Sequence, residues 1–500
     1  MRKALSFIFF LLVYQGLIAQ RINDRSLQRL DPYFGIAFGH TDYYSVTSFL
    51  LSPYANYSEA FLTGDYRRED RAFLPQYGDG YMGVAFNAAS MIRTDKFSAV
   101  QGKVEYSKGV KKNVKWNETT DFLLLQPYVL ADSLGGDMQS EKYEFSGAYS
   151  RRFGKLIAGA ELGYRAVHEF RKIDPRPRNI ASDFGLRGGV SYILGRYCLS
   201  ATASYRKYHQ LQNVEFYNPI GANAVEYHFT GLGSRYQRFD GTNNFTTVRY
   251  KGNGYGLAML LSPADKGNLF AGVNGIMLKI ASHLPGQNEV PVTELSIKQA
   301  DGFFSLPFNI DSFNSAISFK FLYERRDGCE NVIDNAVEGS YNVVKSLQLY
   351  VSHNADASLD ALMEKNGLYI KPNVGFNYYR ASYVYPMRLA SFATLRFGLS
   401  GGWLKNFGKW MTSLSLEGRY EANLMQDLEL PERYTEKVIL HAYTQMFDGF
   451  CRNRFLLGAS ARVQTEINDN NALFLATSFS QWFFPSDKAL LAKLSIGITF

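Results

Sequence analysis

The sequence predicts an all-β fold, an antiparallel transmembrane β-barrel of about 16–18 strands. Three observations predict it: long segments of alternating apolar and polar residues, turns that separate these segments, and a terminal strand with the same alternation. The composition agrees, because a 500-residue chain with 43 glycines, 34 tyrosines and 38 phenylalanines is only 20% charged. Its three cysteines exclude a disulfide-rich scaffold, and we find no apolar run of about 18 residues that would indicate a membrane-spanning helix.

The alternating segments are longer than ordinary strands. Four of them show the pattern most clearly, at residues 98–107, 156–170, 314–326 and 412–421. In the second, Leu162 and Tyr164 fall on one face while Glu161 and Arg165 fall on the other. Such lengths exceed the usual strand of about 5–6 residues and match the roughly 9–11 residues of a tilted strand that crosses a bilayer. Because lipid offers no hydrogen-bond partners to open sheet edges, a closed barrel is expected.

The connections between these segments fall into a short and a long class. Short turns are expected at residues 153–155, 194–196, 262–267 and 406–409, and longer polar connections at residues 108–141, 171–181, 209–250 and 327–342. One rim of short turns and one of long loops is typical of outer-membrane barrels.

Both ends of the sequence carry targeting features. Residues 1–19 read as a secretory signal peptide, with a basic start, an apolar stretch and cleavage expected between Ala19 and Gln20. At the other end, one face of the last strand is apolar and its last residue is aromatic. This face consists of Leu490, Ala492, Leu494, Ile496, Ile498 and Phe500.

This final strand resembles those of outer-membrane β-barrel proteins, and the whole pattern is similar to uncharacterised barrels of the Bacteroidota. The resemblance implies an outer-membrane location and insertion into the lipid by the barrel-assembly machinery. It also implies that a TonB-dependent receptor or a surface lipoprotein could act as a partner in uptake. The net charge of +8 is mild for this length, so we expect no nucleic-acid partner.

The segment at residues 20–79 does not alternate cleanly. Two interpretations stay open: it folds into the lumen as a small plug, or its apolar part at residues 34–51 supplies an extra strand. Residues 80–500 are expected to form the barrel.

The inward faces of the predicted strands carry charges of both signs. If the barrel is a channel or an accessory protein in solute uptake, these charges would line its pore: Arg152, Glu161, Arg165, Arg187, Arg206, Glu417 and Arg419. Mixed signs also permit a packed lumen closed by salt bridges.

An alternative places the function in surface loops that bind a partner or a ligand. Arginine and aromatic side chains favour such contacts, and the candidates are Arg171, Lys172, Arg176, Arg178, Tyr227 and Tyr236. An enzyme is the third class. The sequence has neither a G-x-S-x-G nor an H-E-x-x-H motif, so we expect no catalytic residues, no metal and no cofactor.

Overall fold

The computed structural model describes residues 22–52, 56–217, 226–240, 246–264, 268–285, 288–334 and 341–500. The predicted signal peptide lies outside the described residues. Among those residues, no helix is both long enough and apolar enough to span a membrane.

Eighteen antiparallel strands form one closed sheet, which confirms the predicted fold class and strand range. In chain order the strands are β1 (Tyr57–Glu69), β2 (Gly80–Arg93), β3 (Ser98–Val114), β4 (Leu130–Ala131), β5 (Gly136–Phe153), β6 (Leu156–Arg171), β7 (Arg176–Leu194), β8 (Tyr197–Glu215), β9 (Tyr227–Gly231), β10 (Ser234–Arg235), β11 (Thr247–Pro263), β12 (Phe270–Leu284), β13 (Val290–Ile310), β14 (Phe313–Ile333), β15 (Val343–Lys365), β16 (Leu368–Tyr383), β17 (Arg388–Phe407), β18 (Trp410–Glu429), β19 (Arg454–Asn468), β20 (Asn471–Phe483) and β21 (Lys488–Thr499). The short strands β4, β9 and β10 form a separate three-stranded sheet, and β1 pairs with β21 to close the barrel.

The helices lie outside this sheet. They are α1 (Ile22–Leu30), α2 (Pro32–Phe38), α3 (Thr41–Tyr44), α4 (Ser48–Leu51), α5 (Phe122–Leu125) and α6 (Lys437–Cys451), with 3₁₀ turns at Pro75–Tyr77, Gln237–Phe239 and Glu432–Tyr434.

The two rims differ as the sequence predicts. Short turns follow β5, β7 and β17, and the start of β1 and the end of β21 lie on the same rim as these turns. In barrels of this kind the short turns face the periplasm, so we call this rim the periplasmic end and the opposite rim the outer end. The even number of strands therefore returns the chain to the periplasmic end.

Predicted boundaries differ from the structure at the N-terminal segment and at four connections. The N-terminal strand is β1 rather than residues 34–51, which are largely helical, so the barrel begins ahead of residue 80. The predicted loop at 171–181 is only a four-residue turn at 172–175, because β7 continues the alternation from Arg176. The predicted connections at 108–141, 209–250 and 327–342 shrink to 115–135, 216–246 and 334–342, since the neighbouring strands extend into them.

The outward face of the barrel is apolar over a central band. Its exposed side chains include Leu62, Val84, Val104, Leu162, Leu257, Leu416 and Ile496. Exposed aromatic residues flank the band, with Tyr66, Tyr143, Tyr255, Tyr323 and Tyr420 toward the outer end and Phe153, Tyr192, Phe407 and Trp410 at the periplasmic end. Two aromatic girdles around an apolar band are what a bilayer requires of a barrel surface.

From the lipid-facing band we predict how a charged substitution changes the stability of the barrel. Leu416 on β18 is 68% exposed in the absence of lipid, and Leu416→Arg should destabilise the folded barrel by about 2–4 kcal/mol, because it places a charge in the hydrocarbon. Denaturant titration of the barrel in lipid vesicles measures the change. The neighbouring Glu417 faces the lumen and is exposed there, so Glu417→Arg is the matched control and should change the free energy of unfolding by less than about 1 kcal/mol. Equal effects of the two substitutions would contradict the assignment of the faces.

Candidate functional site: a lumen closed at both ends

The periplasmic end of the lumen is filled by residues 22–52, which we call the plug. Polar side chains on the inward faces of the strands hold it. Gln464 of β19 donates hydrogen bonds to Asn23 Oδ1 at 2.9 Å and Ser26 Oγ at 2.8 Å. Asp301 of β13 accepts from the hydroxyl groups of Tyr44 at 2.9 Å and Tyr43 at 3.1 Å. The plug is thus bound to two separate parts of the barrel wall.

Apolar contacts complete the packing of the plug. Ile36 packs with Ala316 and Leu362, and Tyr44 packs with Phe270 and Phe303. The inward glycines permit this close approach. A Cβ atom at Gly272 would lie 2.8 Å from the Tyr44 ring, and one at Gly189 would lie 2.8 Å from the Val46 side chain. Residues 22–52 thus enter the lumen, whereas the additional strand is formed by residues 57–69 and not by residues 34–51.

The outer end is closed by the loop at residues 115–135, which folds into the lumen and which we call the inner loop. Asp121 at its tip accepts two hydrogen bonds from Arg165, at 3.0 and 2.7 Å, and a third from Tyr208 at 2.9 Å. Arg326 of β14 donates to main-chain carbonyl oxygens of the loop, including that of Leu123 at 2.8 Å. Phe122 and Leu125 belong to the largest buried apolar cluster of the protein.

A fully buried cluster of charged side chains anchors the base of the inner loop. Arg171 is fully buried and lies 2.9 Å from Glu118 and 2.6 Å from Asp132. The Glu226 carboxyl faces that of Glu118, and no other group among the described residues hydrogen-bonds either Glu226 oxygen. Burial and the charge of Asp132 raise the pKa of Glu226 to about 7, while a hydrogen bond with Glu118 and the charge of Arg171 oppose the rise. Burial and the charges of Glu226 and Asp132 likewise raise the pKa of Glu118.

The segment at 226–240 and helix α6 complete the outer closure. Arg388 of β17 is buried and donates to the Leu232 carbonyl oxygen at 3.0 Å and to Thr435 Oγ1 at 2.8 Å. It thereby joins the two segments to the barrel wall. Phe447 of α6 packs against Phe392. The described residues thus cover the lumen from both sides.

The predicted pore-lining residues all lie on the inward faces of their strands, and most are paired. The ion pairs are Arg165–Asp121 at 2.7 Å, Arg187–Glu161 at 2.7 Å, Arg206–Asp183 at 2.6 Å and Arg419–Glu421 at 3.3 Å. Arg187 also donates to the main-chain oxygens of Asp42 and Tyr43 in the plug. Arg152 bonds the Gly154 carbonyl oxygen in its own periplasmic turn, whereas Glu417 is exposed to the lumen. Whether they select a solute stays a prediction.

The predicted loop-binding residues are scattered rather than gathered on one surface. Arg171 and Tyr227 are buried, and Tyr236 donates to the Asn331 carbonyl oxygen at 2.7 Å within the outer closure. Arg176 lies 2.6 Å from Asp174 and stacks over Tyr217. Lys172 and Arg178 are exposed at the outer rim. The idea of one basic surface loop at 171–181 is therefore wrong for Arg171, because that side chain points inward to acidic partners.

Several luminal residues have no counterpart among the predicted sites. Asp121, Asp183 and Asp301 are the carboxylates that neutralise or anchor the luminal groups, and Glu118 and Glu226 form the buried cluster. Asp183 and Asp301 could have been identified from the sequence, because each lies on the polar face of an alternating strand. Glu118, Asp121 and Glu226 could not be identified in this way, since these residues lie in or beside irregular loops where no alternation marks an inward face.

Comparison with known proteins gives a family and a fold. One family model matches residues 47–500. The chain belongs to a family of unknown function (DUF6850). No curated protein matches the sequence.

The DUF6850 barrel is similar in fold to solved outer-membrane structures. One is BauA, the ferric preacinetobactin receptor of Acinetobacter baumannii, with 11% identity, a TM-score of 0.42, and coverage of 89% of this chain and 79% of that one. Another is the outer membrane transporter YddB of Escherichia coli, with 8% identity, a TM-score of 0.41, and coverage of 88% and 81%. At such identities the likeness concerns the fold alone.

A cavity lies in the outer half of the lumen of the DUF6850 barrel, and we call it the central cavity. It occupies about 1310 Å³ including its opening to solvent. The inner loop, helix α6 and the inward faces of β14 to β19 enclose it. Side chains that line it include Gln126, Arg326, Asn354, Tyr379 and Arg454. A concave space with aromatic walls and a few converging polar groups is the usual form of a small-molecule site.

Proposed function

We propose that the protein is an outer-membrane barrel for solute uptake, and that it works as a plugged channel rather than as a permanently open pore. One observation carries the proposal: the chain's own segment at 22–52 occupies the lumen and is held there largely through hydrogen bonds to the strands. A hydrogen bond in a folded protein contributes only about 0.5–1.5 kcal/mol net, because water can replace either partner. Such a plug can therefore be displaced without unfolding the barrel.

The luminal charges support transport over catalysis. They are arranged as ion pairs along the wall, and we propose no enzymatic role for them. A TonB-dependent receptor or a surface lipoprotein stays our candidate partner in uptake. The loop-binding alternative receives less support, because most of its residues are engaged within the protein.

Single-channel conductance in planar bilayers tests the proposal. We expect no steady openings from the full-length barrel, because both ends of its lumen are covered. A variant that lacks residues 22–52 and carries short glycine-serine linkers in place of residues 117–131, 226–240 and 437–451 should give steady openings, on the order of a nanosiemens for a water-filled barrel of this strand number. Each single deletion should give intermediate or intermittent conductance.

The control is a variant that changes a loop outside the lumen. The turn at residues 384–387 exposes Val384, Tyr385 and Met387 at the outer rim, and an Asn-Gly turn in its place should leave the conductance unchanged. Heat-modifiable migration on gels shows which variants are folded. Steady conductance of the full-length protein, or silence of the folded variant that lacks the plug and all three segments of the outer closure, would overturn the proposal.

A further inference from the structure

The central cavity carries no net charge. Its charged side chains form three ion pairs: Arg326–Glu324 at 2.8 Å, Arg396–Asp356 at 2.6 Å and Arg454–Glu421 at 2.5 Å. Every charged residue that lines the cavity belongs to one of these pairs. A charged ligand would lose its hydration here without meeting an uncompensated opposite charge, which is unfavourable. The lining therefore favours a neutral ligand.

The same lining offers hydrogen-bond donors and acceptors side by side. Asn377 donates to Asn354 at 2.9 Å, and both amides lie next to the Asp356 carboxylate. Tyr443 from α6 also lines the cavity, and burial raises the pKa of its phenol and keeps the hydroxyl a neutral donor. A ligand hydroxyl group both donates and accepts, so it can bond an amide, a carboxylate and a guanidinium at once.

One wall of the cavity is a row of nearly parallel aromatic rings. The ring centres of Tyr379 and Phe392 are 5.2 Å apart at an angle of 28°, and those of Phe392 and Phe450 are 5.8 Å apart at 9°. The negative faces of such rings attract the weakly positive C–H groups of a flat aliphatic ring. A pyranose presents C–H groups on its faces and hydroxyl groups around its edge.

We propose that the central cavity binds a neutral oligosaccharide, which stacks on the wall of Tyr379, Phe392 and Phe450 and bonds through its hydroxyl groups to the amides and ion pairs beside this wall on β14 to β19. This inference deepens the proposed function by naming the solute class, and it rests on that function for its physiological meaning. Helix α6 contributes both Tyr443 and Phe450, so it forms part of the recognition surface as well as part of the outer closure.

The test uses the purified full-length barrel in detergent. A glycan array of neutral and acidic oligosaccharides gives the first ranking, and titration calorimetry with the best neutral glycan, an acidic glycan of equal length and a tripeptide gives affinities. We expect saturable binding of the neutral glycan only. Phe392→Ala should weaken that binding at least tenfold, and so should the double variant Asn354→Leu with Asn377→Leu, which keeps side-chain volume.

Two control variants match these substitutions outside the cavity. Phe304→Ala removes an outward-facing ring, and Asn309→Leu removes an exposed amide at the periplasmic end. Both should bind the neutral glycan like the unchanged protein. The absence of neutral-glycan binding, preference for the acidic glycan or the tripeptide, or unchanged affinity in folded cavity variants would overturn the inference. Because binding and conductance are measured separately, a barrel that binds but never opens would contradict only the proposed channel.

Discussion

Replacement of Arg171 by leucine should release the inner loop from the barrel wall. Arg171 is 0% exposed and is the cation that lies against Glu118 and Asp132. Its removal leaves buried carboxylates without a partner, and breaking a buried pair in this way costs about 3–5 kcal/mol. The cost falls on the outer closure rather than on the sheet, because the barrel strands keep all their main-chain pairs. Hydrogen exchange of the amides at 115–135 should therefore become much faster while exchange in the strands stays slow.

A neighbouring arginine is the matched control for this substitution. Arg176 pairs with Asp174 at the outer rim, where its side chain is 40% exposed. Exposed pairs contribute only about 0–1 kcal/mol, so Arg176→Leu should leave exchange in the inner loop almost unchanged. Equal protection of the loop in Arg171→Leu and the unchanged protein would show that the buried cluster does not hold the closure.

The barrel itself could be predicted from the sequence because its cause is local. Each membrane strand must show an apolar face to lipid, so the alternation of Leu162 and Tyr164 with Glu161 and Arg165 appears directly in the order of residues. The rim of short turns follows from the same pattern, and turns such as the one at Gly154 are where the sequence places them.

The sequence of helix α6 has a helical periodicity of apolar residues, which is easily overlooked among the alternating patterns of the neighbouring strands. Its inward residues recur at helical spacing, as Ile439, Ala442, Met446 and Phe447 show. A search for alternating strands therefore does not detect the helix at 437–451, and the predicted barrel, which begins at residue 80, leaves out β1. Helical periodicity within a chain of strands was the evidence available at this position.

The closed lumen could not be predicted, because its contacts join residues far apart in the chain. Arg171 meets Glu118 across 53 positions, and Tyr44 meets Asp301 across 257. Local patterns show that Arg171 follows a strand and that Glu118 lies in a loop. They do not show that the loop turns inward, so an arginine at a strand end is taken for a surface residue.

The buried cluster should also make the outer closure sensitive to pH through Glu226. A carboxyl whose pKa rises to about 7 on folding, from about 4.3 in the unfolded chain, binds its proton more tightly in the folded protein. Stability of the closure is therefore full below about pH 4, falls as the pH rises through this window, and is lowest above pH 7. The shift corresponds to about 4 kcal/mol, since one pKa unit is about 1.4 kcal/mol.

Glu226→Gln should reduce this dependence, because the amide keeps the shape of the protonated carboxyl and cannot ionise, while Glu118, whose pKa is also raised, still titrates in the same direction. At pH 8 the variant's inner loop should be more protected than that of the unchanged protein, and at pH 5 the two should differ little. Hydrogen exchange at both pH values, corrected for the intrinsic rate, measures the effect. Glu215→Gln is the control, since Glu215 is exposed at the same rim. If the variant loses protection between pH 5 and 8 as the unchanged protein does, the Glu226 carboxyl is not the group whose titration weakens the closure. Glu118, which belongs to the same cluster, is then the residue to replace.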